Sequence, residues 1–376
     1  MRSERGFVLA ITLWLLAGMA VVVGLMTWWA LGEVRAASAE RHAVEDDAAL
    51  VSVRETVIYV AATREFTRAG LPVEPMDDAR RAVLRLDELG TLNKEPRGGE
   101  LRMDGRAYRA PGDVRFALQD ESGLFSLIVP PPAALDRFLH TQGVPSGDIP
   151  RLRDALLDYM DVDDLRRLAG VETEDARRVG RAPPAQRRLL APAELASVPG
   201  WDALPVDAID RIATHVTTTY GGAVNLNTMP ASLLPAWIAG CPEACERVAQ
   251  QRDIRPFTDG RDLQLRSTVG LPGDAALDYR FLASDAFRIT LWGRSGGGWR
   301  IHVRLTPLAD KTGPWSLLAA YPVTRPPDAA PASLPESALF ADPATRGHIR
   351  DHAAAGRSAG PDRLGGSARA AALPAL

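Results

Sequence analysis

The sequence lacks the features by which many enzymes and nucleic-acid-binding proteins are recognised. Its formal net charge is only −3 over 376 residues, so no excess of positive charge points to a nucleic-acid partner. The six histidines are scattered, and neither a His-Glu-x-x-His motif nor a glycine-rich phosphate loop is present. His348 and His352 are four residues apart, but they lack the helical glutamate of a metalloprotease. We therefore expect neither an active site nor a nucleic-acid partner.

Cysteine is scarce as well, because Cys241 and Cys245 are the only two in the chain. In an oxidising compartment the pair could form a disulfide, with Pro242 opening a helix just after Cys241. Two small buried thiols in the first turn of that helix are an equal alternative. The sequence leaves the choice between these two states open.

Charged residues are absent from one long stretch, 7–32. A helix over this stretch would be roughly 39 Å long at about 1.5 Å per residue, enough to cross the hydrocarbon core of a bilayer. Arg2 and Arg5 precede the stretch and acidic residues follow it, so the positive-inside rule places the head in the cytoplasm and exports the rest. A secretory signal peptide fits less well, because the run is too long and no cleavage pattern ends it. A plain signal anchor remains an alternative.

The junction between the head and the apolar stretch is more specific. Gly6 ends the short charged head and Phe7 begins the apolar run. This resembles the leader of type IV pilins and type II secretion pseudopilins, which implies that prepilin peptidase cuts after Gly6 and methylates Phe7. In that family a glutamate normally stands at the fifth position after the cut, where this chain has Ile11. A subunit without that glutamate lacks a docking group for a neighbour, as would suit the tip of a filament.

The pattern beyond the membrane predicts a long helix, a sheet and an inserted group of helices. Apolar residues at helical spacing predict that the first helix continues to about Ala69, where Gly70 and Pro72 end it. Asp104-Gly105 predicts a hairpin turn, and further strands are expected over 114–118, 123–129, 287–292, 299–305 and 316–321. Helices are expected over 133–142, 149–159, 192–197, 206–216, 232–239 and 243–252.

We predict an α+β, pilin-like fold. A long N-terminal transmembrane helix packs on a small antiparallel sheet that is interrupted by a large inserted all-α domain. The predicted regions are a cytoplasmic leader at 1–6, a transmembrane helix at 7–32, its exported half at 33–70, a β-sheet domain at 71–130 and 280–323, an inserted helical domain at 131–279, and a disordered tail at 324–376.

This order of segments, with an acidic motif at 157–164 and Val-Asn-Leu-Asn-Thr at 224–228, resembles the minor pseudopilin K family of type II secretion systems. The resemblance spans roughly 5–323. It implies a non-catalytic subunit at the tip of the periplasmic pseudopilus that promotes pseudopilus assembly and the export of folded proteins. It also implies a single-pass anchor in the bacterial inner membrane, with the bulk of the chain in the periplasm and the minor pseudopilins I and J as partners.

An acidic passage offers the only candidate metal ligands. Clustered carboxylates on two sides of a turn are the hard oxygen ligands that Ca²⁺ prefers, although the Asp-x-Asp start at Asp161 lacks the later residues of an EF-hand. On the residues alone, a solvated loop paired with nearby arginines is favoured. The family resemblance implies Ca²⁺ instead. Its expected ligands are Asp161, Asp163, Asp164, Glu172, Glu174 and Asp175.

An alternative function comes from the segment that begins at Asn225. Asn-Leu-Asn-Thr and the residues after it are similar to helix-hairpin-helix modules, which would make the chain a minor pilin of a type IV pilus or DNA-uptake system. Such modules present backbone N–H groups of a glycine-flanked hairpin to a phosphate. Here Gly240 is the one glycine of that hairpin, and Glu243 and Glu246 crowd the following helix. A structural role, in which Thr228 caps a helix, is therefore better supported than DNA binding.

Overall fold

The computed structural model describes residues 5–74, 94–294, 296–307, 313–324, 334–335, 337 and 339–340. The predicted leader and tail therefore lie largely outside the described residues, as does most of 71–93. The first element is a single helix, α1 (Arg5–Thr63). Every residue from Leu9 to Glu45 is exposed, and this is the one described helix that is long and apolar enough to cross a membrane.

Helix α1 ends at Thr63, earlier than the predicted Ala69. After it, Thr67 and Gly70 pair in a tight turn, and Leu71 pairs with Leu101. A Cβ on Gly70 would stand 2.1 Å from the Leu101 carbonyl oxygen, so glycine is required there. The helix stops early because this turn brings Leu71 into the core, where it is fully buried.

A five-stranded antiparallel sheet packs on α1. Its strands lie in the order β1 (Asp104–Arg109), β2 (Arg115–Asp120), β7 (Ala286–Trp292), β8 (Gly297–Leu305) and β9 (Trp315–Thr324). The predicted hairpin turn at Asp104-Gly105 is wrong, because both residues lie in β1. The β1–β2 register shifts there, and the chain turns instead at 110–114.

One face of the sheet and the second half of α1 form the sheet–helix core. Phe116, Leu118, Phe287 and Ile289 project from β2 and β7 toward α1, which contributes Val57 among others. All five side chains are fully buried. The alternation along each strand explains why one face is apolar while the other carries polar residues.

The segment between β2 and β7 is the insert, and it has its own apolar core. It contains six α-helices: α2 (Pro132–Thr141), α3 (Ile149–Met160), α4 (Thr173–Arg178), α5 (Val206–His215), α6 (Glu243–Ile254) and α7 (Gly260–Ser267). Four short 3-10 helices lie at Glu121–Gly123, Pro192–Ser197, Trp201–Ala203 and Ala231–Ala236, so the helices predicted over 192–197 and 232–239 are of this tighter kind. The insert core packs around fully buried Trp201, Phe138 and Phe257. The prediction of an all-α insert needs a correction, because two short parallel strand pairs also lie in it: β3 (Phe125–Ser126) with β4 (Val216–Thr217), and β5 (Val224–Asn225) with β6 (Tyr279–Arg280).

The insert leaves the sheet at the end far from the exposed apolar half of α1. At the near end, Arg294 pairs with Asp46 of α1, with Nε and Oδ1 3.9 Å apart. At the far end, Phe287 makes an edge-to-face contact with Phe66, just beyond the end of α1, with ring centroids 6.1 Å apart. Asp120, the last residue of β2, pairs with Phe287 at this far end. The insert is therefore attached where α1 ends.

A buried polar seam joins the insert to the sheet. Its centre is Asp120, which is fully buried and accepts six hydrogen bonds. The donors are the backbone N–H and hydroxyl groups of Ser122 and Ser284, the Asn225 amide and the Thr228 hydroxyl. Burying a carboxylate is costly unless donors surround it, and here residues of the insert donate to a carboxylate at the end of β2.

Candidate functional site

Three carboxylates converge in the insert, between the end of α3 and the start of α4. Asp158 lies in the last turn of α3, Asp161 follows that helix, and Glu172 precedes α4. One oxygen from each lies within 4.8 Å of the others. Asp158 and Glu172 are buried and Asp161 is partly buried. We call Asp158, Asp161 and Glu172 the acidic cluster.

A single guanidinium serves two members of the acidic cluster. Nη1 of Arg167 donates to Oδ1 of Asp158 and to Oδ2 of Asp161. The backbone N–H of Arg167 also donates to Asp158, 3.2 Å from its Oδ2. Burial raises the pKa of the Asp158 carboxyl, and the hydrogen bonds and charge of Arg167 oppose that rise.

Glu172 is the member left without a partner. Only 4% of the residue is exposed, and its carboxylate faces the Asp175 N–H in a capping box at the start of α4, but neither oxygen forms a hydrogen bond of normal geometry with the described residues. Burial raises the pKa of Glu172 to about 7, and the negative charges of Asp158 and Asp161 add to the effect. An ionised carboxylate in this position is short of positive charge.

The other four predicted metal ligands lie outside the acidic cluster. Asp163 and Asp164 are exposed, and they accept hydrogen bonds from the Leu165 N–H and the Gln186 amide, respectively. Glu174 is exposed, and Asp175 pairs with Arg166 and Arg178. Of the six predicted residues, the structure therefore brings together Asp161 and Glu172, and it adds Asp158. The signal that could have identified Asp158 is its spacing of three from Asp161, which places both at one end of α3 on a shared side.

Close packing shapes the acidic cluster. A Cβ on Gly170 would stand 1.8 Å from Oδ2 of Asp158, so only glycine lets the backbone pass this carboxylate. Asp154, one turn before Asp158, accepts a hydrogen bond from the Ala169 N–H at 3.1 Å. These contacts fold the connection between α3 and α4 around the carboxylates.

The residues of the acidic cluster fit a hard divalent cation such as Ca²⁺. All three donors are carboxylates, which are the ligands that Ca²⁺ favours, and it fills its shell of six to eight oxygens with both carboxylate oxygens and water. The two Glu172 oxygens and Oδ1 of Asp161 are buried without hydrogen-bond partners, so they are free to act as ligands. This is the observation on which a metal site in this chain depends.

The predicted processing residues lie at the start of α1. The backbone of Gly6 and Phe7 is already helical. Ile11, at the position where pilins carry glutamate, is 43% exposed on the apolar half of the helix. The structure thus places the three residues on one continuous helix.

Cys241 and Cys245 are joined by a disulfide, with their Cα atoms 5.1 Å apart. Cys241 precedes α6 and Cys245 lies in its first turn. The bond links the start of α6 to the loop before it, and Cys245 belongs to the insert core.

The Asn225-Leu-Asn-Thr228 segment is part of the seam. Asn225 and Thr228 both donate to Asp120, and the Asn227 side chain bridges the carbonyl oxygens of Phe257 and Phe281 at 2.8 and 2.9 Å. The expectation that Thr228 caps a helix is wrong, because its hydroxyl is bound to Asp120 and the next helical turn begins only at Ala231. With these side chains buried among protein partners, the segment has a structural role.

A Gly-x-Ser-x-Gly pattern occurs at 293–297, and its serine lies outside the described residues. In hydrolases this pattern lies on a sharp turn between a strand and a helix. Here it connects two paired strands, β7 and β8. A second copy at 356–360 lies outside the described residues.

Comparisons with known proteins give distant similarity to solved structures. No family model matches the chain, and no curated protein matches it either. Among solved structures, the chain is similar to a chain of the GspK-GspI-GspJ complex from the type 2 secretion system of enterotoxigenic Escherichia coli. The identity is 16%, the TM-score is 0.41, and the match covers 58% of this chain and 83% of that one.

Proposed function

We propose that the protein is a minor pseudopilin of a type II secretion system. It would lie at the tip of the periplasmic pseudopilus and promote pseudopilus assembly and the export of folded proteins. The observation that carries the proposal is α1, in which every residue from Leu9 to Glu45 is exposed before the same helix packs on an antiparallel sheet. An exposed apolar helix of this length needs a bilayer or neighbouring helices to cover it. The bilayer would cover it before assembly, and the helices of other subunits would cover it in the pseudopilus.

The position of the insert favours the tip. It is attached beyond the end of α1, on the side away from the membrane-length segment, where a following subunit would have to stack. Ile11 gives the helix no carboxylate with which to dock a neighbour's N-terminal amine. Both features allow the subunit to end a filament but hinder its continuation.

The proposed setting is the bacterial inner membrane, which α1 crosses once, with the bulk of the chain in the periplasm. Prepilin peptidase would cleave after Gly6 and methylate Phe7. The minor pseudopilins I and J are the proposed partners, and the protein is proposed to be non-catalytic.

Ca²⁺ is the proposed ligand of the acidic cluster. Asp158, Asp161 and Glu172 would hold it, and the ion would supply the positive charge that Glu172 lacks. Its role would be to stabilise the fold of the insert, because carboxylates that repel one another become ligands of one ion.

The mass of the N-terminal peptide, recovered from the native membrane, tests the proposal. We expect a peptide that begins at methylated Phe7. Gly6→Val should leave the leader attached, whereas Gly18→Val, where an added Cβ meets nothing within 4 Å, should be processed normally. A wild-type peptide that still carries Met1 or Arg2 would identify a permanent anchor and overturn the pseudopilin assignment.

Placement at the tip has a separate test. Ile11→Glu and a deletion of 131–279 should each impair tip placement, measured by labelling of pseudopili, and should reduce secretion. Ile11→Val is the matched control for the point substitution. If both altered proteins supported normal tip placement and normal secretion, the steric account of the tip would fail.

A further inference from the structure

Arg167 holds the place that a cation would take in the acidic cluster. Its Nη1 contacts Oδ1 of Asp158 and Oδ2 of Asp161 at the same time. A divalent cation bound by these carboxylates must also lie close to both oxygens, at about 2.3–2.6 Å for Ca²⁺. Nη1 and the metal would therefore compete for one position, and like charges make simultaneous occupation unfavourable.

In the arginine-bound form, the negative charge of the acidic cluster is only partly neutralised. One guanidinium faces three carboxylates, and both oxygens of Glu172 remain buried without partners. A cation with two positive charges and six to eight coordination positions can bind all three carboxylates. Arg167 reaches two of them, so a divalent cation has more to gain in this position than the guanidinium has.

The side chain that would be displaced lies in a largely exposed loop, 162–168, which carries three apolar side chains. Val162, Leu165 and Leu168 are 83%, 78% and 98% exposed. Arg167 connects this loop to α3 through its side chain and through its backbone N–H, both of which donate to Asp158. When the Arg167 side chain is displaced, its hydrogen bond to Asp158 is lost. The hydrogen bond from the Arg167 backbone N–H remains, but its acceptor, Asp158, now also binds the metal.

We propose that Arg167 is an internal counter-cation of the acidic cluster, that a divalent cation displaces it, and that this exchange couples metal binding to the conformation of loop 162–168. The inference rests on the proposed metal site and adds a specific competitor to it. Arg167 would thus set the metal affinity and hold the metal-free insert together. Its neighbour Arg166, which pairs with Asp175 outside the cluster, would do neither.

Calorimetric titration of the purified full-length chain with CaCl₂ tests the exchange. Arg167→Gln should bind Ca²⁺ about tenfold more tightly than the wild type, because one competing charge-assisted interaction is gone. The matched control Arg166→Gln should bind within about twofold of the wild type. Thermal unfolding without metal should show a lower midpoint for Arg167→Gln, with CaCl₂ restoring it, which also verifies that the variant folds.

Hydrogen exchange adds a readout of the loop. In the wild type, CaCl₂ should increase exchange in the segment containing Arg167, and in Arg167→Gln that segment should already exchange rapidly without metal. Equal Ca²⁺ affinity for the wild type and Arg167→Gln would overturn the competition while leaving the metal site intact. Absence of Ca²⁺ binding by both proteins would overturn the metal site and this inference together.

Discussion

The two cores of the molecule differ in how their buried residues are arranged. The sheet–helix core lies between one face of a sheet and one stripe of α1, and its members follow the periods of two and of 3.6 residues that strands and helices impose. The insert core lies among short helices, and the same part of the chain buries the carboxylates of Asp154, Asp158 and Glu172. Apolar contacts make up the first core, although the sheet also buries Arg288 and His302, whereas the insert depends more on how its charges are balanced.

The junction between the two cores is polar. Asp120, Gln119, Asn225 and Thr228 meet there by hydrogen bonds, and Gln119 donates to the Thr228 carbonyl oxygen at 2.9 Å. Hydrogen bonds fix orientation well but contribute less net stability than buried apolar area does. We therefore expect the two cores to be distinguishable in unfolding experiments, and four substitutions test that expectation.

The largest effect is expected at the seam. Asp120→Ala leaves six donors without their acceptor, most of them buried, and should cost about 5 kcal/mol of unfolding free energy. Calorimetry should show both cores affected, with their two unfolding transitions further apart than in the wild type. The exposed Asp207, changed to Ala, serves as the control and should cost less than about 0.5 kcal/mol. An unfolding profile like that of the wild type would show that the seam does not couple the cores.

A large substitution in the insert core comes next. Trp201 is fully buried and its Nε1 donates to the Leu152 carbonyl oxygen at 2.9 Å. Trp201→Ala should cost about 4 kcal/mol and should lower the unfolding temperature of the insert more than that of the sheet. Trp299→Ala, at a tryptophan that is 45% exposed on β8, is the control. Equal losses in the two variants would contradict the assignment of Trp201 to a core.

The corresponding test of the sheet–helix core is Ile58→Ala. Ile58 is 1% exposed on the second half of α1, and truncation should cost about 3 kcal/mol. Hydrogen exchange should locate the loss in β2 and β7 and leave α3 protected. Val51→Ala, at a half-exposed position on the same helix, should have little effect. If α3 lost protection as much as β2 did, the two cores would have to be treated as one.

The smallest effect is expected at Glu172, and it depends on pH. The folded-state pKa of about 7 lies above the ordinary value of 4.5, so the metal-free folded protein binds more protons between those values than the unfolded chain does. Stability should therefore fall as the pH rises from 4.5 to 7 and stay low above it. Glu172→Gln should flatten this fall and stabilise the metal-free protein by about 1–2 kcal/mol at pH 8.

Chemical denaturation at several pH values, without metal, measures the effect. Glu174→Gln at an exposed position is the matched control and should keep the wild-type pH dependence. A Glu172→Gln variant that is less stable than the wild type at pH 8 would show that this carboxylate has a stabilising partner in the metal-free protein.

Much of the fold was predictable from local patterns, because the elements follow the spacing of their apolar residues. The structure confirms α3 and α5 at their predicted starts, Ile149 and Val206, and β7 begins one residue before its predicted start. The continuous strand through Asp104-Gly105 was not predictable, since the same dipeptide that favours a tight turn also fits a bulge inside a strand. The choice between a turn and a bulge depends on the pairing of this segment with β2.

The sequence predicted that the candidate site would consist of carboxylates, but it did not predict which carboxylates would form it. The sequence shows a passage rich in carboxylates, and the fold selects three of them by bringing Glu172 back to the end of α3. Asp158 is included because it lies on the helix that faces the returning chain, and Asp163 is excluded because its carboxylate is bound to the Leu165 N–H. The return depends on the path of the chain between the helices, which residue spacing does not specify.

The pairing of β2 with β7 has a consequence for how the chain folds. Asp120 and Phe287 are direct neighbours in the sheet although 287 − 120 = 167 residues separate them along the chain. Contacts this distant in sequence form slowly, because closing the intervening loop costs entropy before the contact is made. If the insert folds first, its two ends already lie close together at the seam, and little flexible loop remains to be closed. The folded insert would then speed formation of the sheet, and the two strands would join only after the chain as far as β7 was available.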